Sequence, residues 1–144
     1  MIDRLGSQPE RLRAVDYPAT SEPIRIQVAP RPIAVKRQVG IDVFVEHRGT
    51  ADELGHQLED QAGDLQLIMV SNRGQKVYPG GDPSTITTDH WRCRFQARDA
   101  GEPVTTGQII ALLDRLAAAG LPFIKTEGLF TFDGTPGYSL SQGQ

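Results

Sequence analysis

A strictly alternating stretch in the second half of the chain constrains the fold more than any other feature of the sequence. One face of this stretch carries Trp91, Cys93 and Phe95, and the other carries His90, Arg92 and Arg94. Successive side chains of a β-strand point to opposite faces of the sheet, so the pattern predicts a half-buried strand over residues 90–96. Such a strand needs other strands beside it and an apolar layer over its tryptophan face.

Three further stretches are predicted to form strands. Residues 39–46 alternate in the same way, with the valines at 39, 43 and 45 and Ile41 on one face. Residues 65–70 form the next predicted strand, and residues 121–132 form the last, with a point of interruption at Gly128. A turn-rich insertion at residues 71–88 separates the second predicted strand from the strand at 90–96.

Two helices are predicted by their start signals. Thr50 is followed three residues later by Glu53, and Thr105 is followed at the same spacing by Gln108. This spacing is typical of a capping box, in which the two side chains satisfy backbone N–H groups reciprocally. Apolar residues then recur at helical spacing, and a glycine ends each predicted helix, at positions 63 and 120.

The resulting order, β-α-β-β-α-β, indicates an α+β fold of the ferredoxin-like, split βαβ type. Two right-handed crossovers would place both helices on one face of a four-stranded antiparallel sheet. The opposite face would carry Phe44 with His90, Arg92 and Arg94. We expect this mixed face to pack against the N-terminal segment, the C-terminal tail or another subunit.

Composition divides the chain into three segments. Residues 1–38 contain half of the prolines and carry a net positive charge, which predicts an extended, Pro-rich leader. Within it, alternation at Ile24, Ile26 and Val28 is compatible with a short edge strand. Residues 39–132 are acidic and form the predicted ferredoxin-like domain, and residues 133–144 form a Gly- and Ser-rich tail.

The bulk properties argue against several classes of protein. The net charge of -3 is mild and the folded part is acidic, which argues against nucleic-acid binding. The apolar runs are too short to span a bilayer, and the N-terminus lacks the pattern of a signal peptide. With one cysteine and no internal disulfide possible, we expect a cytoplasmic protein.

The sequence offers few candidate functional residues. The three histidines and Cys93 show no metal-ligand spacing, and the alternation indicates that Cys93 serves packing. Arg73 and Lys76 lie in a polar loop that could hold a phosphate or carboxylate, although we favour a solvated hairpin turn. Arg92 and Arg94, beside His90, form a small basic patch that would contact an anion or pair with carboxylates across the sheet or an interface.

Several segments together resemble the extra C-terminal domain of the longer bacterial isocitrate dehydrogenases. The motifs that carry the resemblance are residues 39–46 (VGIDVFVE), 71–79 (SNRGQKVYP), 89–95 (DHWRCRF) and 125–134 (KTEGLFTFDG), with further similarity at residues 2–6 and 137–144. The resemblance covers essentially the whole chain in the same order. It identifies the chain as similar to that appended domain and not to the catalytic domain.

The family implies a cytosolic homodimer that oxidises isocitrate to 2-oxoglutarate with NADP, sometimes NAD, and Mg or Mn. The catalytic, metal and cofactor motifs of the family have no counterpart here, so the resemblance assigns no catalytic residue, metal or cofactor to this chain. It leaves open whether the chain is part of an enzyme. NADP and Mg or Mn are expected in an associated catalytic domain.

Two hypotheses follow from this resemblance. In the first, the chain is a non-catalytic accessory domain that serves oligomerisation, stability or regulation and binds an isocitrate dehydrogenase catalytic domain or another copy of itself. In the second, it is a stand-alone regulatory module that senses an anionic small molecule at a sheet or subunit interface through Arg73, Lys76, Arg92 and Arg94.

Overall fold

The computed structural model describes residues 32–142, together with Gly6, Arg11, Ile26 and residues 28–30. Internal contacts divide the chain into Met1–Pro32 and Ile33–Gln144. The second unit contains every helix and strand of the described residues. Most of the predicted leader lies outside the described residues. Of the residues that suggested a short strand there, Ile24 is outside them, and Ile26 and Val28 are described and are not in a strand.

The second unit contains six strands and two helices. In chain order they are β1 (Lys36–Glu46), α1 (Ala51–Gln61), β2 (Leu65–Asn72), β3 (Gln75–Tyr78), β4 (His90–Ala97), α2 (Thr106–Ala118), β5 (Phe123–Phe132) and β6 (Thr135–Pro136). All strand pairings are antiparallel, in the order β3-β2-β4-β1-β5-β6. The predicted α+β class is thus confirmed, and β1 begins before residue 39, the predicted start.

The prediction of a four-stranded sheet was wrong, because two hairpins add an outer strand at each side. β2 turns into β3 through Arg73 and Gly74, whose φ angles are 51° and 84°. β5 turns into β6 through Asp133 and Gly134, with φ angles of 49° and 82°. Two successive residues at positive φ suit the twist of a two-residue hairpin. The insertion and the tail therefore each supply one strand.

Both predicted helix starts are confirmed. The backbone N–H of Glu53 donates to Thr50 Oγ1 at 3.2 Å, and the Thr50 N–H donates to Glu53 Oε2 at 2.8 Å. The corresponding distances between Thr105 and Gln108 are 3.2 and 2.9 Å. Each box satisfies backbone donors that a helix end otherwise leaves unpaired.

The apolar face of the sheet and both helices share one hydrophobic core. In the register of β1 and β4, Val45 lies opposite Trp91 and Val43 lies opposite Cys93. The core also contains the buried leucines of the helices, at positions 54, 58, 112 and 116. The Trp91 indole N–H donates to the carbonyl of His47 at 2.9 Å, so the buried ring keeps a partner for its polar atom. Within residues 32–142 and the few other described positions, no helix is long and apolar enough to cross a membrane.

Candidate functional site on the polar face of the sheet

The opposite face of the sheet contains a buried ionic cluster, called here the Asp42 cluster and formed by Asp42, Arg92, Arg94 and Ser139. Asp42 and Arg94 are opposite one another in the register of β1 and β4, and Arg92 lies two residues before Arg94 on β4. Arg94 donates from Nε to Asp42 Oδ1 at 2.8 Å and from Nη2 to Asp42 Oδ2 at 2.9 Å. The Nε of Arg92 reaches Asp42 Oδ2 at 2.6 Å. The alternating pattern predicted that these arginines pair with carboxylates or contact an interface, and the pairing across the sheet is present.

Burial makes this pairing energetically important. The Arg94 side chain is 0% exposed and that of Asp42 is 1% exposed, whereas Arg92 retains 18%. An isolated buried charge is strongly unfavourable, so each partner depends on the other. The bidentate contact of Arg94 also fixes the orientation of the carboxylate. Two guanidinium groups thus face the one carboxylate of Asp42.

The C-terminal segment supplies a further acceptor for both guanidinium groups. The carbonyl oxygen of Ser139 accepts from Nη2 of Arg92 at 3.0 Å and from Nη2 of Arg94 at 2.9 Å. The Tyr138 ring lies 4.8 Å from Cζ of Arg94, within the range of a cation–π contact. The Tyr138 hydroxyl also accepts from Nε2 of Gln96 at 3.0 Å. Residues 138–139 therefore cover the buried cluster.

The same segment continues to the far side of the sheet. Gln142 forms a parallel bridge with Gln75 on β3. Its N–H donates to the Gly74 carbonyl at 3.1 Å, and its carbonyl accepts from the Lys76 N–H at 3.0 Å. The C-terminal segment thus runs from the β5–β6 hairpin, over the Asp42 cluster, to β3. The sequence predicted that this face packs against the N-terminal segment, the C-terminal tail or another subunit. Among the described residues, the C-terminal tail packs against it.

The structure separates the predicted site residues into two groups. Arg92 and Arg94 meet in the Asp42 cluster. His90, exposed at the start of β4, stacks on Phe44 with a ring-centroid distance of 5.6 Å. Arg73 and Lys76 lie on the β2–β3 hairpin. Ser71 of β2 lies opposite Lys76 of β3 and opposite Arg92 of β4, so Lys76 and Arg92 occupy one row across the sheet with β2 between them.

The surroundings of Arg73 are mixed in charge. It lines a surface depression of about 440 Å³ together with Asp82, Ser84 and the buried Asn72. The N–H and hydroxyl of Ser84 both bond to Asp82 and lower the pKa of that carboxyl group. An anion held by Arg73 in this depression would therefore lie near a carboxylate, which weakens the attraction.

Sequence reasoning missed three structural features, two in the Asp42 cluster and one at the loop before β4. Asp42 is the carboxylate partner of the arginines, and its signal was available because it alternates onto the polar face of β1. The Ser139 carbonyl carried no sequence signal, since any residue provides one. Asn72 is buried and bonds to the backbone of Thr88 and His90, which anchors the loop before β4.

Cys93 is part of the core, as predicted from its alternation. It is 0% exposed, and burial, followed by the nearby charge of Asp42, raises the pKa of its thiol. A thiol in this state is a poor nucleophile because the thiolate is the reactive form. In the part of the chain that the structure describes, no group of three or more His, Cys, Asp or Glu side chains is placed to hold a metal ion.

The geometry therefore describes a structural clamp and not a reaction centre. Both oxygens of Asp42 are engaged by guanidinium groups. The cluster can tie β1, β4 and the C-terminal segment together, and it presents one partly exposed guanidinium, that of Arg92.

Comparison with known proteins agrees with the resemblance inferred from the sequence motifs. The family model of the bacterial isocitrate dehydrogenase C-terminal domain matches residues 36–144. The NADP isocitrate dehydrogenase of Rickettsia bellii is 36% identical over 151 residues, covering 100% of this chain and 30% of the relative. That of Thermus thermophilus is also 36% identical, over 100% of this chain and 29% of the relative.

A solved structure shows the same likeness. The crystal structure of the TT0538 protein from Thermus thermophilus superposes with a TM-score of 0.72 at 40% sequence identity, covering 81% of this chain and 24% of that one. This chain spans about 30% of the length of the curated relatives that it matches. By the match of the family model, the chain belongs to the family of bacterial isocitrate dehydrogenase C-terminal domains.

Proposed function

We propose that this chain acts as a non-catalytic accessory domain of an NADP-dependent isocitrate dehydrogenase. The associated catalytic domain would oxidise isocitrate to 2-oxoglutarate and would bind NADP and Mg or Mn. The observation that carries the proposal is the extent of the alignment. The whole chain aligns with about 30% of the length of each of two relatives named NADP isocitrate dehydrogenase. The clamp-like Asp42 cluster supports a structural role. The reducing setting implied by the single, unpaired cysteine supports a cytoplasmic location.

The fold part of the proposal is a ferredoxin-like core extended by one strand at each side. The four inner strands have the order β2-β4-β1-β5, which is the order produced by two interleaved β-α-β units. Side chains of both helices meet in one core, as expected when two right-handed crossovers cover the same face. Among the described residues, β3 and β6 are the additions to this arrangement.

The accessory role makes a direct prediction about binding. The catalytic portion of the Rickettsia bellii relative, prepared without its C-terminal domain, is mixed with this chain and examined by sedimentation velocity. We expect a co-sedimenting complex and no turnover of isocitrate by this chain alone. The full-length relative, whose own C-terminal domain is present, serves as the control that should not recruit the chain. If the two proteins form no complex even at the highest concentrations that sedimentation velocity allows, the proposal is contradicted.

The alternative function is an effector-binding module, and one observation favours it. Arg92 keeps 18% of its side chain exposed on the polar face of the sheet. A carboxylate or phosphate effector bound there would stabilise the folded state and raise the melting temperature. Citrate, isocitrate and inorganic phosphate are the probes, with Arg92→Gln as the variant. If a probe raises the melting temperature of Arg92→Gln as much as that of the wild type, this arginine is not part of the site. If no probe raises the melting temperature of the wild type, the effector-binding function is excluded.

A further inference from the structure

Strand β5 is exposed to an unusual degree for a strand inside the order of a six-stranded sheet. From Phe123 to Gly128, every residue is exposed, although β1 beside it is buried. The exposed side chains include Phe123 at 41% and Ile124 at 57%. A strand that leaves apolar side chains in solvent is a candidate for contact with another protein.

The outer edge of β5 is also open over a defined length. β6 pairs only with Thr131 and Phe132, and the Gly137 N–H donates to the Phe130 carbonyl at 2.8 Å. Within the described part of the chain, no strand pairs with the outer edge of residues 123–129. An open edge presents unpaired N–H and C=O groups and serves as a template for another strand.

The direction of the backbone groups can be inferred from Phe130. Its carbonyl points away from β1, and groups on one side of a strand recur at every second residue. Gly128 and Thr126 therefore also direct their N–H and C=O groups outward. Thr126 is the midpoint of the open stretch from residue 123 to residue 129.

We propose that the open edge of β5 binds the same edge of a second copy of this chain, in antiparallel register about a two-fold axis at Thr126. Two-fold dimers are the commonest protein oligomers, and their contact surface must be complementary to itself. The exposed charges of β5 meet this requirement. Lys125 and Glu127 flank Thr126, bond to each other at 2.7 Å, and are 52% and 51% exposed.

The charge pattern selects this register over its neighbours. With the axis at Thr126, each Lys125 lies opposite the Glu127 of the other copy, and opposite charges across strands stabilise a sheet. An axis at Lys125 would oppose two lysines, and an axis at Glu127 would oppose two glutamates. Charge pairing and the midpoint of the open edge are independent criteria, and both place the two-fold axis at Thr126.

The uncharged positions are compatible with the same arrangement. Ile124 of one copy falls opposite Gly128 of the other, at a point where β5 is irregular, because Lys125 pairs with Phe44 and Phe123 pairs with Val45. The Phe130 ring fills the space beside Gly128 and offers an apolar surface to the incoming isoleucine. A lysine on an edge strand often prevents association, but in this register each lysine meets a carboxylate.

This inference specifies the oligomerisation part of the proposed function and rests on that part, but its test uses the chain alone. Sedimentation velocity over a range of concentrations should show a reversible dimer. Lys125→Glu and Glu127→Lys should each weaken self-association by about tenfold or more, because two pairs of like charges then face each other. Arg48→Glu, which reverses the charge of an exposed pair outside this edge, is the matched control and should leave the dimer unchanged.

The register is tested by mixing the two variants. A Lys125→Glu chain and a Glu127→Lys chain are complementary to each other in the proposed register, so the mixture should regain wild-type association as a heterodimer. Thr126→Cys adds a second test, because residues opposed at a hydrogen-bonded pair have Cα atoms about 5.5 Å apart, a distance that suits a disulfide. Mild oxidation should link Thr126→Cys chains into dimers, while the buried Cys93 leaves the wild type monomeric on a denaturing gel.

Two outcomes would overturn the inference. One is a wild-type chain that stays monomeric at all concentrations, and the other is a dimer unaffected by both charge reversals. Circular dichroism melts of each variant separate lost association from lost folding. If the chain stays monomeric yet binds the catalytic portion of an isocitrate dehydrogenase, this inference fails while the accessory role stands.

Discussion

Arg94 binds Asp42 through two parallel hydrogen bonds of 2.8 and 2.9 Å in a position where neither side chain contacts solvent appreciably. The two residues come from neighbouring strands and lie directly opposite in register. Through the Ser139 carbonyl, the same guanidinium holds the C-terminal segment. One buried pair therefore connects the centre of the sheet to the segment that covers it.

Removing the negative charge of this pair should be strongly destabilising. Asp42→Asn removes the carboxylate that Arg94 binds in the interior, and breaking a buried pair in this way costs about 3–5 kcal/mol. The free energy of unfolding in urea gives the value. Asp89→Asn, which removes an exposed partner of Arg48, should change it by less than about 0.5 kcal/mol. Equal unfolding midpoints for the two variants would show that the buried pair contributes little.

The tail contact should be measurable at Tyr138. Tyr138→Phe removes the hydroxyl that accepts from Gln96 and should lower the free energy of unfolding by about 1 kcal/mol. Tyr138→Ala also removes the ring beside Arg94 and should cost more, about 2 kcal/mol. Leu140→Ala, at an exposed neighbouring position, is the control. If Tyr138→Ala unfolds like this control, the segment does not stabilise the cluster.

A side chain of α2 satisfies the end of α1. Arg115 donates from Nε to the Gln61 carbonyl at 2.7 Å and from Nη2 to the Ala62 carbonyl at 3.0 Å. Arg115→Met keeps the aliphatic stem but leaves these carbonyls without this donor, so it should cost about 1–2 kcal/mol in urea unfolding. The exposed neighbour supplies the control, because Asp114→Asn should be nearly neutral. A neutral result for Arg115→Met would mean that water replaces the guanidinium without loss.

The first capping box should make stability depend on pH in the acid range. Hydrogen bonds from the backbone and side chain of Thr50 lower the pKa of Glu53 from its usual value. A carboxyl group whose pKa is lower in the folded state stabilises the fold above its unfolded pKa, and this contribution is lost as the pH falls through the folded value. When the pH is lowered from about 5 to about 3, the melting temperature of Glu53→Gln should therefore decrease less than that of the wild type.

The second capping box provides the reciprocal variant. Gln108 occupies the position equivalent to Glu53, so Gln108→Glu introduces a carboxylate into the same hydrogen-bonding geometry. The melting temperature of this variant should decrease more than that of the wild type over the same pH range. Parallel pH dependence of the wild type and both variants would show that neither box contributes through its charge.

The local signals of the sequence predicted the inner elements well. Both helices begin at the predicted threonines, because a capping box satisfies its donors within four residues and needs no tertiary contact. The face of Trp91, Cys93 and Phe95 is buried as the alternation predicted, because a one-residue change of register would move these side chains into solvent.

The outer strands were not predicted, for two different reasons. Arg73 takes a positive φ that the sequence does not favour for arginine, and the hairpin between β2 and β3 imposes it. At the other end, Asp133-Gly134 is a strong hairpin signal, but β6 has only two residues and a strand that short has no alternation to detect. The sequence thus lacks a turn signal at Arg73 and lacks an alternating pattern in β6.

Short-range signals along the chain are sufficient for the order of the inner strands and helices, for the buried face of β4 and for the family, because each depends on residues that are close together in sequence. The pairing of Arg94 with Asp42, the position of Ser139 over that pair and the open edge of β5 are visible only in the folded chain. The first two relationships join residues 52 and 45 positions apart, and the third depends on which strand lies beside another. Strand register and the path of the C-terminal segment determine all three, and both arise from packing of the whole sheet.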